Sequence, residues 1–322
     1  MSPRAWFAFL SVSILWGVPY FFIKIAVDDG VPPAFLAWAR VVLAALLLGA
    51  ICWRLGLLSG LRGHWRVLGV YAVIEIALPF PLIAAGEQEV SSSLTAILIA
   101  SVPLIVALLA LRFDHEERAT GSRLAGLFVG FAGVVALVGL DVAGNAAELL
   151  GAAAILLAAL GYAAGPMVLK RSLASVEPIA LMAGALAIAA LVLTPAAAVA
   201  PPTESLTAEA IAAIVILGVF CTAAAFVLFG RLIAEVGPGR AAVITYVAPM
   251  VAVALGVAVL GERPGAGAIA GLLLIIAGSW LATDGRLPPG LGAVVTRWRP
   301  RAGQARPPRY LGAASGRDRA TR

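Results

Sequence analysis

Two stretches of this chain carry the same punctuation at a constant spacing. Val90-Ser-Ser-Ser-Leu-Thr-Ala96, running through Pro103 to Glu116, matches Val236-Gly-Pro-Gly-Arg-Ala-Ala242, running through Pro249 to Glu262, at an offset of 146 residues. The offset slips to 145 for Gly126 with Gly271 and for Gly133 with Gly278. Each copy is built almost wholly from long apolar segments, so the duplication belongs to a membrane domain rather than to a soluble tandem repeat.

Hydrophobic residues make up 62% of the chain and charged ones 12%, with a mean hydropathy of +1.02. No soluble core needs that much apolar sequence. A bilayer-crossing helix takes roughly 20 apolar residues at 1.5 Å each, and ten stretches qualify: 5–27, 33–53, 67–86, 90–111, 124–140, 149–169, 178–199, 208–230, 240–260 and 265–283. The first is too long for a signal-peptide core and reads as a retained span. Cys52 and Cys221 lie in separate spans without ligand spacing and read as small packing residues.

Basic residues are retained on the cytoplasmic side during insertion. With the N-terminus inside, Arg4, Arg54, Arg62, Arg66, Arg112, Arg118, Arg123, Lys170, Arg171, Arg231, Arg240 and the tail are cytoplasmic. The opposite connections carry Asp28, Asp29, Glu87, Glu89, Asp141, Glu148, Glu204, Glu209 and Glu262, with Arg263 the one basic residue there. Five spans per copy is an odd number, so the second copy enters the membrane upside down. The expectation is an all-α polytopic protein of ten transmembrane helices, N-in and C-in, built from inverted five-helix repeats at 5–141 and 148–284, followed by an Arg/Pro/Gly-rich tail at 285–322. Inverted repeats are a recurring plan of secondary transporters, with the substrate held near the midplane.

The chain resembles the EamA-like transporters of the drug/metabolite transporter superfamily. The resemblance is carried by Leu15-Trp16-Gly17 with Lys24, by Ala39-Arg40, by Ser101-Val102-Pro103 with Glu116 and Gly126, and by Ala248-Pro249 with Gly261-Glu262-Arg263 and Gly271. It implies a secondary transporter that exports small metabolites or drugs across the cell membrane, and it covers both repeats. Glu75, Pro79 and Pro81 in the third span depart from the usual pattern.

A charge near the centre of a span costs on the order of 2.5 to 3.5 kcal/mol on insertion scales and needs compensation. Arg40 lies about 10 Å inside its span and Glu75 about 16 Å. Either the two form an ion pair locking the second and third spans, or Arg40 takes a substrate carboxylate or phosphate while Glu75 carries a proton. Lys24 is close enough to its helix end to reach the headgroups. Glu116 and Glu262 sit at helix ends and read as capping or gating groups. Trp16 lies at the midplane, with Tyr162 as its repeat mate, and each is followed by a proline, Pro19 or Pro166; Pro103 and Pro249 repeat the pattern. Proline frees carbonyls from the helical ladder, and such backbone is tolerated where it faces protein or a cavity. These residues therefore outline a cavity between the first, third, fourth, sixth, eighth and ninth spans, walled by Trp16, Tyr71, Tyr162 and Tyr246, with Pro19, Pro103, Pro166 and Pro249 as hinges. Ordinary helix packing accounts for the same aromatics equally well.

Gly126-Leu-Phe-Val-Gly130 and Gly267-Ala-Ile-Ala-Gly271 have the spacing that lets helices approach closely, as scaffold or as a homodimer contact. The basic tail cannot bury a core and is expected to be disordered, with the anionic cytoplasmic leaflet as its partner. It lacks the folded basic or aromatic module that nucleic acid binding requires. His64 and His115 fall in connections, and His115-Glu116-Glu117-Arg118 lacks the second histidine of a zinc-protease helix. Neither a phosphate loop nor a metal or cofactor site is legible. A lipid or lipid-linked precursor flippase is the alternative to a metabolite exporter, and a membrane-embedded enzyme or sensor comes after both.

Overall fold

The computed structural model describes residues 2–113, 121–173, 176–237, 241 and 243–282. His115, Glu116, Arg118, Arg240 and the tail lie outside the described residues. Within them every regular element is helical. Eight helices are long and apolar enough to cross a membrane: α1 (Pro3–Asp28), α2 (Pro33–Arg54), α3 (Trp65–Glu89), α4 (Ser92–Ala110), α5 (Leu124–Val142), α6 (Ala146–Val168), α7 (Pro178–Val199) and α8 (Ala208–Val236). Two shorter apolar helices follow, α9 (Ile244–Ala258) and α10 (Ala266–Ala282). The chain is a multi-pass membrane protein.

Local chemistry fixes where these helices begin. The first free N–H groups of a helix need acceptors. Ser2, Ser91, Asn145, Glu177 and Thr207 supply them, accepting from the backbone N–H of Ala5, Leu94, Ala147, Ala180 and Ala210 at 2.9 to 3.2 Å. Proline, which has no N–H to orphan, opens the first turn of α1, α2 and α7.

Several boundaries differ from those the hydropathy predicts. The third helix runs to Glu89, which places Glu87 and Glu89 inside a helix and not in a connection. A π-turn at Val73–Ala77 adds a residue to the third helix, and Pro79 then restarts regular α-helix at its first turn, where it is tolerated. The eighth helix continues to Val236, taking in Arg231 and Glu235, after its own π-turn at Ile216–Ala224. Shifted by 146 residues, the first π-turn falls inside the longer second one, with Glu75 and Cys221 at equivalent positions.

The proline positions behave differently from one another. Pro19 opens the second half of α1 after a break at Val18, and Pro103 stands just past a turn at Ala100–Ser101 in α4. Pro166 sits inside α6 ahead of a third π-turn at Leu169–Leu173, and Pro249 sits inside α9.

The principal interhelical contacts pair α5 with α10, α2 with α7, α3 with α6, α4 with α9, α2 with α8, α3 with α7, α1 with both α8 and α9, and α4 with α6. The α5–α10 seam is made by glycine. A β-carbon at Gly126 would meet the Gly278 carbonyl at 2.6 Å, one at Gly133 the Gly271 carbonyl at 2.9 Å, and one at Gly278 the Gly130 backbone. Backbone cannot yield as a flexible side chain can, so the small-residue stripes are used within one chain, as scaffold. Gly278→Val is expected to cost about 1–3 kcal/mol or more by overpacking, whereas Gly230→Ala, with open space around it, should change stability by under about 0.5 kcal/mol. Thermal unfolding of the two variants in matched detergent checks this.

Candidate functional site

Arg40 projects from α2 into the interior of the bundle and is 6% exposed. Its guanidinium carbon lies 4.2 Å from the centre of the Phe80 ring, a cation–π contact. One terminal nitrogen donates to Thr222 Oγ1 at 3.1 Å, and Thr222 in turn donates to the Leu217 carbonyl at 2.8 Å within the α8 π-turn. The widened turn thus orients the hydroxyl that holds the arginine. Nε of Arg40 is buried and has no hydrogen-bond partner among the described residues.

Around this guanidinium the described groups in electrostatic reach are Tyr162, Cys221, Tyr20 and Glu87. Arg40 and Glu75 are not ion-paired: the ion pair present among the described residues joins Lys24 Nζ to Asp28 at 2.9 Å. Glu75 instead presses its carboxylate into the space left by Gly165 of α6, and its Oε2 is buried without a hydrogen bond. Tyr162, on the same helix as Gly165, has both Arg40 and Glu75 within electrostatic reach. Tyr162 thus links Arg40 and Glu75 in one buried polar cluster drawn from α2, α3, α6 and α8, in which the two charged groups do not themselves meet.

The remaining aromatics lie apart from it. The Trp16 ring packs on two phenylalanines of α8, tilted against Phe229 at 4.6 Å and edge-on to Phe226 at 5.8 Å between centres. It packs in the apolar cluster that also holds Tyr246, and the Tyr246 hydroxyl donates to the Ser279 carbonyl at 3.2 Å. Tyr71 is buried in the cluster between α2, α3 and α7, with its hydroxyl 3.6 Å from Met182 Sδ. Gly17, next to Trp16, lets α1 approach α9 closely at Ala248 and Val251. Among the described residues no three His, Cys, Asp or Glu side chains converge as a metal site would need.

Four residues around Arg40 escape the sequence reading: Tyr20, Phe80, Glu87 and Thr222. Tyr20 and Lys24 are four residues apart on the segment after Pro19, a legible sign that they share a face. Thr222 adjoins the repeat mate of Glu75. Glu87 reads as a loop acid because it follows the last apolar residues of its segment, yet it is fully buried and both its carboxylate oxygens lack partners among the described residues.

One end of the bundle is acidic and closed by polar contacts. Lys24 Nζ donates to the Glu87 carbonyl at 2.9 Å, and Thr207 donates to Asp29. Glu262 accepts from the backbone N–H of Ser92 at 2.8 Å and of Ser93 at 3.0 Å, and from both their hydroxyls. A carboxylate at a helix N-terminus satisfies orphan donors and meets the favourable end of the helix dipole. Glu262 is thus a capping group supplied by the α9–α10 connection to α4. Asp141 does the same for α10 through Gly267 and Ala268.

The profile of the EamA-like transporter family matches residues 4–139 and again 149–283. The chain belongs to the EamA-like transporter family. This EamA-like protein is 32% identical over 273 residues to the uncharacterized inner membrane transporter YedA of Escherichia coli K12, across 79% of the chain and 82% of that protein. It is 26% identical over 275 residues to an uncharacterized transporter of Archaeoglobus fulgidus, across 84% and 94%. A protein of known crystal structure has the same fold, with a TM-score of 0.63 at 21% identity over 87% of this chain and 97% of that one.

Removing the cap that links the α9–α10 connection to α4 should loosen the acidic end of this EamA-like bundle. Glu262→Ala leaves two backbone donors of Ser92 and Ser93 without their acceptor and is expected to destabilise by about 1–3 kcal/mol. In a Ser92→Ala, Ser93→Ala background the same substitution should cost less, and a double-mutant cycle of unfolding midpoints measures the difference.

Proposed function

We propose that this chain is a secondary transporter of the bacterial inner membrane that exports small metabolites, amino-acid-like or amphipathic, by alternating access, and that it is not an enzyme. The observation that carries the reading is Arg40: a guanidinium buried among aromatic rings, not neutralised by an internal carboxylate, with Nε free to donate. A permanent cation in that setting is expensive unless something anionic visits it, and the carboxylate of a small amphipathic metabolite suits a planar donor flanked by apolar surface.

Two halves of opposite orientation, α1–α5 and α6–α10, make this a machine of the rocking kind. Support comes from the contact pattern. Adding five to each label carries α3–α6 onto α8–α1, α2–α8 onto α7–α3 and α1–α9 onto α6–α4, while α5–α10, α2–α7 and α4–α9 map onto themselves. The matched π-turns of α3 and α8 point the same way, as do two family matches in one chain. The N-in, C-in orientation rests on the distribution of basic residues. The relative from Escherichia coli is described as an inner membrane transporter.

A second reading, lipid flipping, is favoured by one feature. An apolar groove of 290 Å³ opens between α2 and α8, lined by Phe35, Trp38, Leu43, Leu206 and Ile214 among others. Its residues Ala39, Val42 and Leu43 lie on α2, the helix that carries Arg40, so a lipid-facing groove runs along that helix.

Inside-out vesicles given labelled amino acids, nucleobases and cationic drugs, with and without an imposed proton gradient, separate these readings. Uptake of one class, reduced about tenfold or more by Arg40→Gln, is the expected result; the loss of one charge-assisted bond corresponds to about 1.5–3 kcal/mol. If folded, inserted protein gives no uptake above empty vesicles, metabolite export fails and lipid flipping becomes the assay.

Glu75 is proposed as the coupling group. Glu75→Gln should abolish gradient-driven accumulation while leaving substrate exchange intact, and retained accumulation would remove Glu75 from that role.

A further inference from the structure

The acidic end and the opposite end of the bundle are not equally closed. The half of α1 beyond Pro19 packs against the last part of α3 and the start of α4. The equivalent pairs under the exchange of halves, α6 with α8 and α6 with α9, have no comparable contact among the described residues. This is the asymmetry of a bundle shut at its acidic end, and Glu87 stands at that closure. Gly86 beside it abuts Gly151 and Ile155 of α6, and the Glu87 backbone carbonyl accepts from the Lys24 ammonium. Lys24 also pairs with Asp28 and stays within electrostatic reach of the Glu87 carboxyl without donating to it.

We propose that Glu87 is a proton-binding site, and that the acidic end closes over Arg40 only when this carboxyl carries a proton. The proposal rests on the alternating-access reading above and assigns the group that makes closure depend on external pH. A carboxylate at zero exposure with no hydrogen-bond donor among the described residues on either oxygen is costly, because burial strips its hydration without a compensating hydrogen bond. As a neutral acid it loses most of that cost. One proton moves from external water to the carboxylate on closing and returns on opening; no bond other than O–H changes.

The charged and titratable groups facing Glu87 are few. From α1 they are Lys24, Asp28 and Tyr20; from α2, Arg40; and from the α9–α10 connection, Glu262. Lys24 and Asp28 engage each other, and Arg40 is 6% exposed and bound to Thr222. Glu262 is held by four donors at the start of α4, the arrangement that suits an anion. On the α6 side, Gly151 and Ile155 abut the neighbouring Gly86. Glu87 is the member of this set that is fully buried with no donor among the described residues on either oxygen.

The direction of the pH effect follows from linkage. The closed state holds a proton that the open, wetted state releases, so acid favours closure, and raising external pH shifts the balance toward opening by up to tenfold per unit. Ile83 lies one turn below Glu87 on α3 and is 4% exposed, so a thiol placed there reports opening. In a Cys52→Ala, Cys221→Ala background, Ile83→Cys is labelled with a membrane-impermeant thiol reagent from about pH 5 to about pH 8, a window spanning ordinary carboxylate titration, with and without Glu87→Gln. Dividing the two rates removes the thiol's own reactivity. The expected ratio rises with pH, approaching tenfold per unit, and Glu262→Gln leaves that rise in place. A flat ratio overturns the proposal, as does a rise that Glu262→Gln abolishes. Glutamine is the neutral isostere of the closed state, so failure of Glu87→Gln to fold overturns it too. No substrate enters the assay, so it stands or falls separately from the vesicle uptake that tests export.

Discussion

A cation in an apolar interior sets the terms for what surrounds it. Arg40 cannot lose its charge as a lysine could, so the bundle supplies an aromatic face from Phe80, a hydroxyl from Thr222 and little else. The hydroxyl is available because α8 widens into a π-turn there, and the ring is placed because Pro79 restarts α3 beside it. Glycine at Gly218 lets α8 come close to the Arg40 backbone, where a β-carbon would meet its carbonyl at 2.9 Å. Secondary-structure irregularity, small residues and polar placement in this region thus serve one requirement.

The helix ends obey the same economy of hydrogen bonding. With no water in hydrocarbon, each unsatisfied backbone group is costly, and the chain answers with short polar side chains at its own starts and with carboxylates borrowed from distant connections. Glu262 and Asp141 each close a helix that lies far away in sequence. The residues that seal one end of the protein are therefore the same ones that tie its first half to its second.

Much of the architecture was legible in the sequence because bilayer physics writes it plainly: apolar length, proline and cap residues at helix starts, and glycine stripes that meet along α5 and α10. The family resemblance read from short motifs agrees with the profile match to both halves. Legibility faded where meaning depends on three-dimensional neighbours. Glu87 and Glu89 follow an apolar segment in the manner of loop residues, and only the continuation of α3 past its π-turn brings Glu87 inside. Arg40 and Glu75 have depths that allow a pair, yet Glu75 turns toward Gly165, a small residue on a helix that depth alone cannot locate. Trp16 and Tyr162 are repeat mates in sequence, but one packs on phenylalanines of α8 while the other faces the arginine.

The π-turn of α3 separates the half that holds Glu75 from the half that holds Glu87. An α-helix advances about 100° per residue, so one additional residue in the turn sets the azimuth of everything beyond it. Such a turn differs from regular helix by the partner of each N–H rather than by the loss of bonds. Pro79 and Pro81, just beyond it, have no N–H with which to exchange acceptors, so the turn cannot slide toward Glu87. The third helix is therefore keyed: the azimuth of its Glu87 half relative to its Glu75 half is fixed by where the two prolines stop the turn.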